Sequence, residues 1–146
     1  MIRPARADEA DAVRDVVHEA YRHYIARIGK PPGPMLDDYA QRIADGQTWV
    51  LEHAGGIAGI LVREETAEGL LLDNIAVAPE QQGKGVGRAL LEFAEAEARR
   101  REFTAIHLYT HELMTENLSL YSRIGYVETY RITEKGFDRV YMRKPL

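Results

Sequence analysis

No cysteine occurs in the chain, which removes thiolate nucleophiles, disulfide bridges and cysteine-ligated zinc together and fits a reducing compartment, the cytoplasm by default. Long hydrophobic runs are missing as well. A stretch such as Ile75 to Ala78 is far too short to span a bilayer, and the opening MIRPARADEADAVRDVV lacks the apolar centre of a signal peptide. Neither sign of charge dominates: 19 basic residues against 23 acidic ones leave a net charge of −4. The molecule as a whole therefore repels nucleic acid and anionic membrane, and neither partner is expected. Any anionic ligand has to be held locally.

Several chemical patterns are also absent. His111-Glu112-Leu113-Met114-Thr115 begins like H-E-x-x-H but has no second histidine, and His18 and His23 stand five apart, off a shared helix face. No metal is expected. Ser119 and Ser122 lack the G-x-S-x-G context of a hydrolase nucleophile. Arg99 to Arg101 follow the acidic run EFAEAEA and read as a solvated helix end, where cations complement the dipole. His53 and His107 fall on predicted strands and read as satisfied or solvent-facing side chains.

What is present describes one ordinary soluble domain over residues 1–146, 45% hydrophobic and 29% charged. A chain of this length buries about two-thirds of its unfolded surface, enough for a sizeable core. After a short extended start at Ile2, Asp8 is placed to cap a helix. Its apolar residues Val13, Val16, Val17, Ala20, Tyr21, Tyr24, Ile25 and Ile28 recur at helical spacing. The GKPPGP segment (Gly29 to Pro34) ends it, because proline lacks the amide donor. A second helix is expected over Met35 to Ala44.

Thr48 to His53 and Ile57 to Glu64 read as antiparallel strands around Gly55-Gly56, with a more buried strand at Leu70 to Val77. A helix over Val86 to Arg101 carries Ala89, Leu90, Phe93 and Ala94 on one face, with Glu95 and Arg99 paired on the other. A strand at Ala105 to Thr110, a helix at Glu116 to Ile124 and two closing strands from Gly125 and Gly136 complete a mixed α/β layer structure.

The least ordinary stretch is AVAPEQQGKGVGRALLEF, Ala76 to Phe93, with three glycines in five residues. Each costs about 0.5–1 kcal/mol relative to alanine in regular structure, so the backbone itself must approach something closely. A strand leading through a glycine loop into a helix offers free amides and the positive helix end, the requirements of an anion site. Lys84 and Arg88 add local charge. A Walker loop fails because Lys84 precedes Gly85 rather than a hydroxyl. A dinucleotide fingerprint fits weakly, since Gly85-Val86-Gly87 is followed by Arg88, Ala89 and Leu90. The pattern [QR]-x-x-G-x-[GA] fits at Gln82, Gly85 and Gly87.

NIAVAPEQQGKGVGRALLEF resembles the coenzyme A loop of the GNAT superfamily of acyl-CoA-dependent N-acetyltransferases, and TENLSLYSRIGYVE (Thr115 to Glu128) resembles its second motif. The resemblance implies a GNAT-like fold: a mixed, mostly antiparallel central sheet flanked by helices. It implies acetyl-CoA lying where two central strands splay, its pantetheine arm paired with Ile75, Ala76 and Val77. The pyrophosphate would rest on the amides of Gln82, Gly83, Lys84, Gly85, Val86, Gly87 and Arg88. Tyr121 takes the position of the family's leaving-group acid, and a phenol of pKa about 10 suits a thiol near 8.5.

Strand alternation puts Leu71, Asp73, Ile75 and Val77 on one face, making Asp73 the candidate base through an intervening water. His111 and Glu112 are its rivals. Many relatives carry an asparagine seven residues before the tyrosine; here Met114 stands there and Asn117, four before, is the candidate cofactor contact. The acceptor amine, from a small molecule, peptide or protein, is expected near Tyr21, Tyr24, the Pro31 to Pro34 loop, Asp37 and Asp38. The two tyrosines also read as packing residues, and the two aspartates as caps. Relatives commonly form homodimers. A non-catalytic acyl-CoA sensor and a dinucleotide-type phosphate binder are the alternative functions.

Overall fold

The computed structural model describes all 146 residues. Its strands are β1 (Ile2–Pro4), β2 (Thr48–His53), β3 (Gly56–Thr66), β4 (Gly69–Val77), β5 (Ala105–His111), β6 (Val127–Glu134) and β7 (Phe137–Pro145). They form one sheet in the order β1-β2-β3-β4-β5-β7-β6. Every neighbouring pair is antiparallel except β4 with β5. No helix is long and apolar enough to cross a membrane.

Five α-helices flank the sheet: α1 (Ala10–Tyr21), α2 (Tyr24–Ile28), α3 (Tyr39–Ala44), α4 (Val86–Arg100) and α5 (Thr115–Arg123). The apolar stripe of α1 works as the spacing predicts. Val13 and Val17 are fully buried with Tyr39 of α3 against Val50, Ile60 and Val62 of the sheet. On the opposite face Leu90, Leu91, Ala94 and Ala98 of α4 pack against Leu61, Leu72, Ile106 and Leu108. The sheet is therefore covered by α1 and α3 on one side and α4 on the other.

Four local expectations are corrected. The first helix breaks at Arg22 and His23 instead of running through to Ile28. Asp8 does not cap it; the buried Glu9 accepts the Arg6 amide at 2.8 Å and both ends of the Arg3 guanidinium, also at 2.8 Å. A charged fork from β1 outcompetes a solvated aspartate. The second helix starts only at Tyr39, after a 3-10 turn at Gly33–Leu36, and Asp38 caps it by accepting the Gln41 amide at 3.2 Å. Glu95 pairs not with Arg99 but with Lys144 of β7 at 2.5 Å, because it is buried; Glu97, on the other flank of α4 and also buried, meets Arg63 of β3.

The fifth correction shapes the site. Between β3 and β4 the register shifts, so that Val62 stands opposite Asn74 while Arg63 stands opposite Leu72, and Asp73 is the extra residue of a β-bulge. One extra residue exchanges the two faces. Leu72 packs toward α4 with Ile75 and Val77, whereas Asp73 and Asn74 turn toward α1 and α3. Asp73 thus does not share a face with Ile75 and Val77.

Gly59 of β3 lets α4 come close: a Cβ there would lie 2.7 Å from Val86 Cγ1 and 3.0 Å from Leu90 Cδ1. Gly59→Val should destabilise the fold by about 1–3 kcal/mol through overpacking, read as a lower urea midpoint. The Glu9 carboxyl is held down to about 2 by its hydrogen bonds from Arg3. A depressed carboxylate contributes stability above its unfolded value near 4.5, and that contribution is lost as pH falls toward 2. Glu9→Gln should accordingly lower stability at neutral pH and flatten its loss between about pH 4.5 and 2, measured as urea midpoints across that range.

Candidate active site

Strands β4 and β5 pair only over Leu70–Leu72 and Ile106–Leu108, although β4 continues to Val77 and β5 to His111. Beyond those three rungs they diverge and expose one backbone edge of β4. Which residues face the gap follows from the ladder. The Ala78 amide donates to the Ala58 carbonyl at 2.9 Å, so Ala76 and Asn74, two and four residues earlier, direct their polar groups to β3. Ile75 and Val77 direct theirs into the gap. The Tyr21 hydroxyl reaches the Ile75 carbonyl at 3.0 Å and the Gln82 side-chain amide approaches the Val77 carbonyl at 3.5 Å, both from that side. Of the three residues expected to meet a pantetheine arm, Ile75 and Val77 have backbone groups available; those of Ala76 belong to β3.

The glycine loop lies just past this edge. Gly83 and Gly85 have φ of 79° and 83°, a left-handed geometry that glycine adopts without a Cβ clash. The amide of Gln82 is taken by the Pro79 carbonyl at 3.3 Å, but the amides from Gly83 through Arg88 donate to no protein acceptor, and no side chain caps α4. Six donors rather than seven therefore surround the positive end of a 15-residue helix. Lys84 and Arg88 are exposed beside them, Arg88 paired with Glu92 at 3.0 Å. A cleft of about 790 Å³ leads from Gln82, Gly87 and Arg88 past Ile75 and Val77 to Tyr121.

Tyr121 is shared with a second, adjoining cavity of about 50 Å³. Asp73, Tyr109, His111, Phe137, Arg139 and the Pro32–Pro34 segment line it. Tyr121 packs edge-on against Tyr126 at 5.7 Å, and burial, with Tyr24 nearby, pushes its phenol up to about 12. The candidate acid thus borders both the glycine loop's cleft and a small adjoining pocket.

Asp73 lines that pocket with its carboxylate held at both ends, by the Tyr109 hydroxyl at 2.6 Å and Arg42 at 3.0 Å. Burial raises its pKa against the opposing effects of Tyr109 and Arg42. His111 also lines the pocket, but its Nδ1 accepts the Leu113 amide at 3.1 Å, which assigns the proton to Nε2 and leaves no lone pair toward the cavity. Burial lowers its pKa, keeping it neutral. Glu112 is outside the pocket and faces Arg131 at 3.7 Å.

Asn117 borders both cavities, its amide directed at Thr110 Oγ1 (3.4 Å) and Met114 Sδ (3.7 Å). Tyr21 also borders both cavities and Tyr24 the larger one, while Asp37 pairs with Arg42 at 2.9 Å and Asp38 caps α3. No three histidine, aspartate or glutamate side chains converge as a metal site would require.

Several site residues escaped the sequence reading. Asn74 is buried and accepts from the Tyr21 hydroxyl at 2.8 Å while donating to the Tyr39 hydroxyl at 3.0 Å; Tyr39 in turn donates to the Pro34 carbonyl at 2.5 Å. A polar pair, Asp73-Asn74, inside an apolar strand was the available signal, since a buried amide needs partners. Nothing local marks Tyr109, Arg42 or Arg139.

The sequence model for the acetyltransferase (GNAT) domain matches residues 44–128. The chain belongs to the GNAT acetyltransferase family. It is 42% identical over 57 residues to mouse N-alpha-acetyltransferase 80, covering 39% of this chain and 17% of that one. It is 28% identical over 102 residues to the [ribosomal protein bS18]-alanine N-acetyltransferase of Escherichia coli K12, covering 66% and 69%. It thus spans under a fifth of the mouse protein's length. Among solved structures, the PaiA N-acetyltransferase of Thermoplasma acidophilum, in complex with coenzyme A, superposes with a TM-score of 0.81 at 18% identity, over 100% of this chain and 98% of that one. The Escherichia coli ribosomal-protein-S18-alanine N-acetyltransferase follows at 0.76 and 21%, over 99% and 92%. These two likenesses establish the shared fold.

Asn74→Ala removes one partner from each of two buried hydroxyls and should cost about 1–3 kcal/mol, measured by urea denaturation.

Proposed function

We propose that the chain is an acetyl-CoA-dependent N-acetyltransferase, transferring acetyl to the amine of an acceptor by direct attack. The observation that carries this reading is the place of Tyr121, on the border of both the cleft that begins at the glycine loop and the small pocket beside it. The residues present fit the co-substrate. Six free amides from Gly83 to Arg88 suit a diphosphate, and the open edges of Ile75 and Val77 suit the amides of a pantetheine arm. Bound there, acetyl-CoA supplies an activated acyl group on sulfur.

The chain's own residues then have separable tasks. The Ile75 amide, facing the gap, donates to the acyl oxygen as it gains negative charge. Asp73, with its raised pKa, receives through a water the proton that the acceptor amine must shed. The amine nitrogen bonds to the acyl carbon as the carbon–sulfur bond breaks, and Tyr121 gives its proton to the departing sulfur. Asp73 gives its proton up to solvent and Tyr121 is reprotonated from it, so the products are an amide and a free thiol. A cytoplasmic setting belongs to this reading. The alternative, a sensor that binds acyl-CoA without turnover, leaves the position of Tyr121 unexplained.

Free-thiol release over a panel of amines tests the proposal. Tyr121→Phe should lower kcat by about 10²–10⁴-fold with little change in the KM for acetyl-CoA. Because the phenol keeps its proton to about pH 12, activity should rise with deprotonation of the acceptor and show no tyrosine-dependent fall through pH values near 9. Coenzyme A binding with no acceptor-dependent thiol release would establish the sensor, and full activity in Tyr121→Phe would remove the assigned acid.

A further inference from the structure

The pocket beside Tyr121 is cationic at one end and anionic at the other. Arg139 of β7 lays its guanidinium over the Tyr109 ring, 4.4 Å from the centroid, and donates Nη1 to Glu134 at 3.0 Å. The Tyr141 hydroxyl, which itself donates to Glu134, is a second partner beside the guanidinium; Nη2 lies toward Gly33 in the roof, where a Cβ would stand 3.7 Å away. His111, whose proton is on Nε2, lines the same pocket. The anionic end is Asp73, reached by the hydroxyl of that same Tyr109.

Size and roof narrow what can enter. About 50 Å³ accommodates roughly three to five waters, on a scale where one needs about 10–15 Å³. Lys30 donates to the Gly136 carbonyl and lies 4.5 Å from the centroid of Phe137, tying the loop after α2 to the β6–β7 hairpin above the pocket. A polypeptide acceptor has to part that tie. A simple amine leaves the Arg139 guanidinium with only its protein partners, and a peptide N-terminus offers it only a neutral amide.

From this arrangement we infer that the acceptor is a small free amino acid, its amine between Asp73 and Tyr121 and its carboxylate on Arg139. The inference rests on the acetyl-transfer reading for its chemistry but not for its binding geometry. A carboxylate on a guanidinium fork is a charge-assisted contact, so its removal should weaken recognition about ten- to a hundredfold.

The experiment compares glycine, L-alanine and L-serine with their carboxamides and with methylamine, ethylamine and ethanolamine. Binding is followed by the NMR signal of the Arg139 Nε–H group, and turnover by thiol release with acetyl-CoA. The amino acids should shift that signal saturably and exceed their carboxamides in kcat/KM by about ten- to a hundredfold. Arg139→Gln should collapse the ratio, and Arg139→Lys should keep part of it. Should Arg139→Gln melt early, the ligand comparison on the unaltered protein decides alone. Carboxamides or short peptides equalling the amino acids, no amino acid shifting the signal, or a ratio that survives Arg139→Gln would each overturn the inference. Saturable binding of the amino acids without thiol release from any amine would uphold the recognition site and strike the acetyl-transfer reading instead.

Discussion

The structure turns on the point where β4 leaves β5. After Leu72 and Leu108 the parallel ladder stops, and a strand whose other edge is bound to β3 is left with polar groups at Ile75 and Val77 directed into a gap. Backbone groups in such a place need partners. The chain supplies only side-chain ones, Tyr21 at the Ile75 carbonyl and Gln82 approaching that of Val77. The gap thereby remains accessible to an extended ligand with its own amides, and the glycine loop adds its free donors at one end.

The bulge at Asp73 sets the chemistry beside that gap. With regular alternation Asp73 would point the same way as Ile75 and Val77, toward α4. The extra residue turns it to the other face, where Tyr109 and Arg42 hold it at the wall of the small pocket. The open edge and the candidate base thus come from nearby residues of one strand yet face different sides. The Asn74 network fixes this arrangement from below, linking Tyr21 of α1, Tyr39 of α3 and the Pro34 carbonyl of the loop that roofs the pocket.

Much of this was legible in the sequence where the cause is local. The apolar stripe of α1, the proline-rich stop after Gly29, the strand and helix order and the glycines at 83, 85 and 87 all act through residues close in the chain. Tyr121 was singled out by resemblance alone, through the LYSRIGY run of the second motif. The unread features depend on pairing between distant segments. The bulge exists only in the register of β3 against β4, the burial of Glu95 only through Lys144, and the interest of Arg139 only through the ring of Tyr109. Asp8 misled for the same reason: Arg3, on a strand at the sheet's edge, selects Glu9.

The central claim is that coenzyme A, when bound, engages together the unclaimed main-chain donors from Gly83 to Arg88 and the open edge at Ile75 and Val77. Titration of ¹⁵N-labelled protein with coenzyme A tests it most directly. The account predicts saturable shifts at those amides, with little change at Ala76, whose backbone is committed to β3, or along β6. Shifts centred elsewhere, or a loop whose amides do not respond while coenzyme A binds, would contradict it.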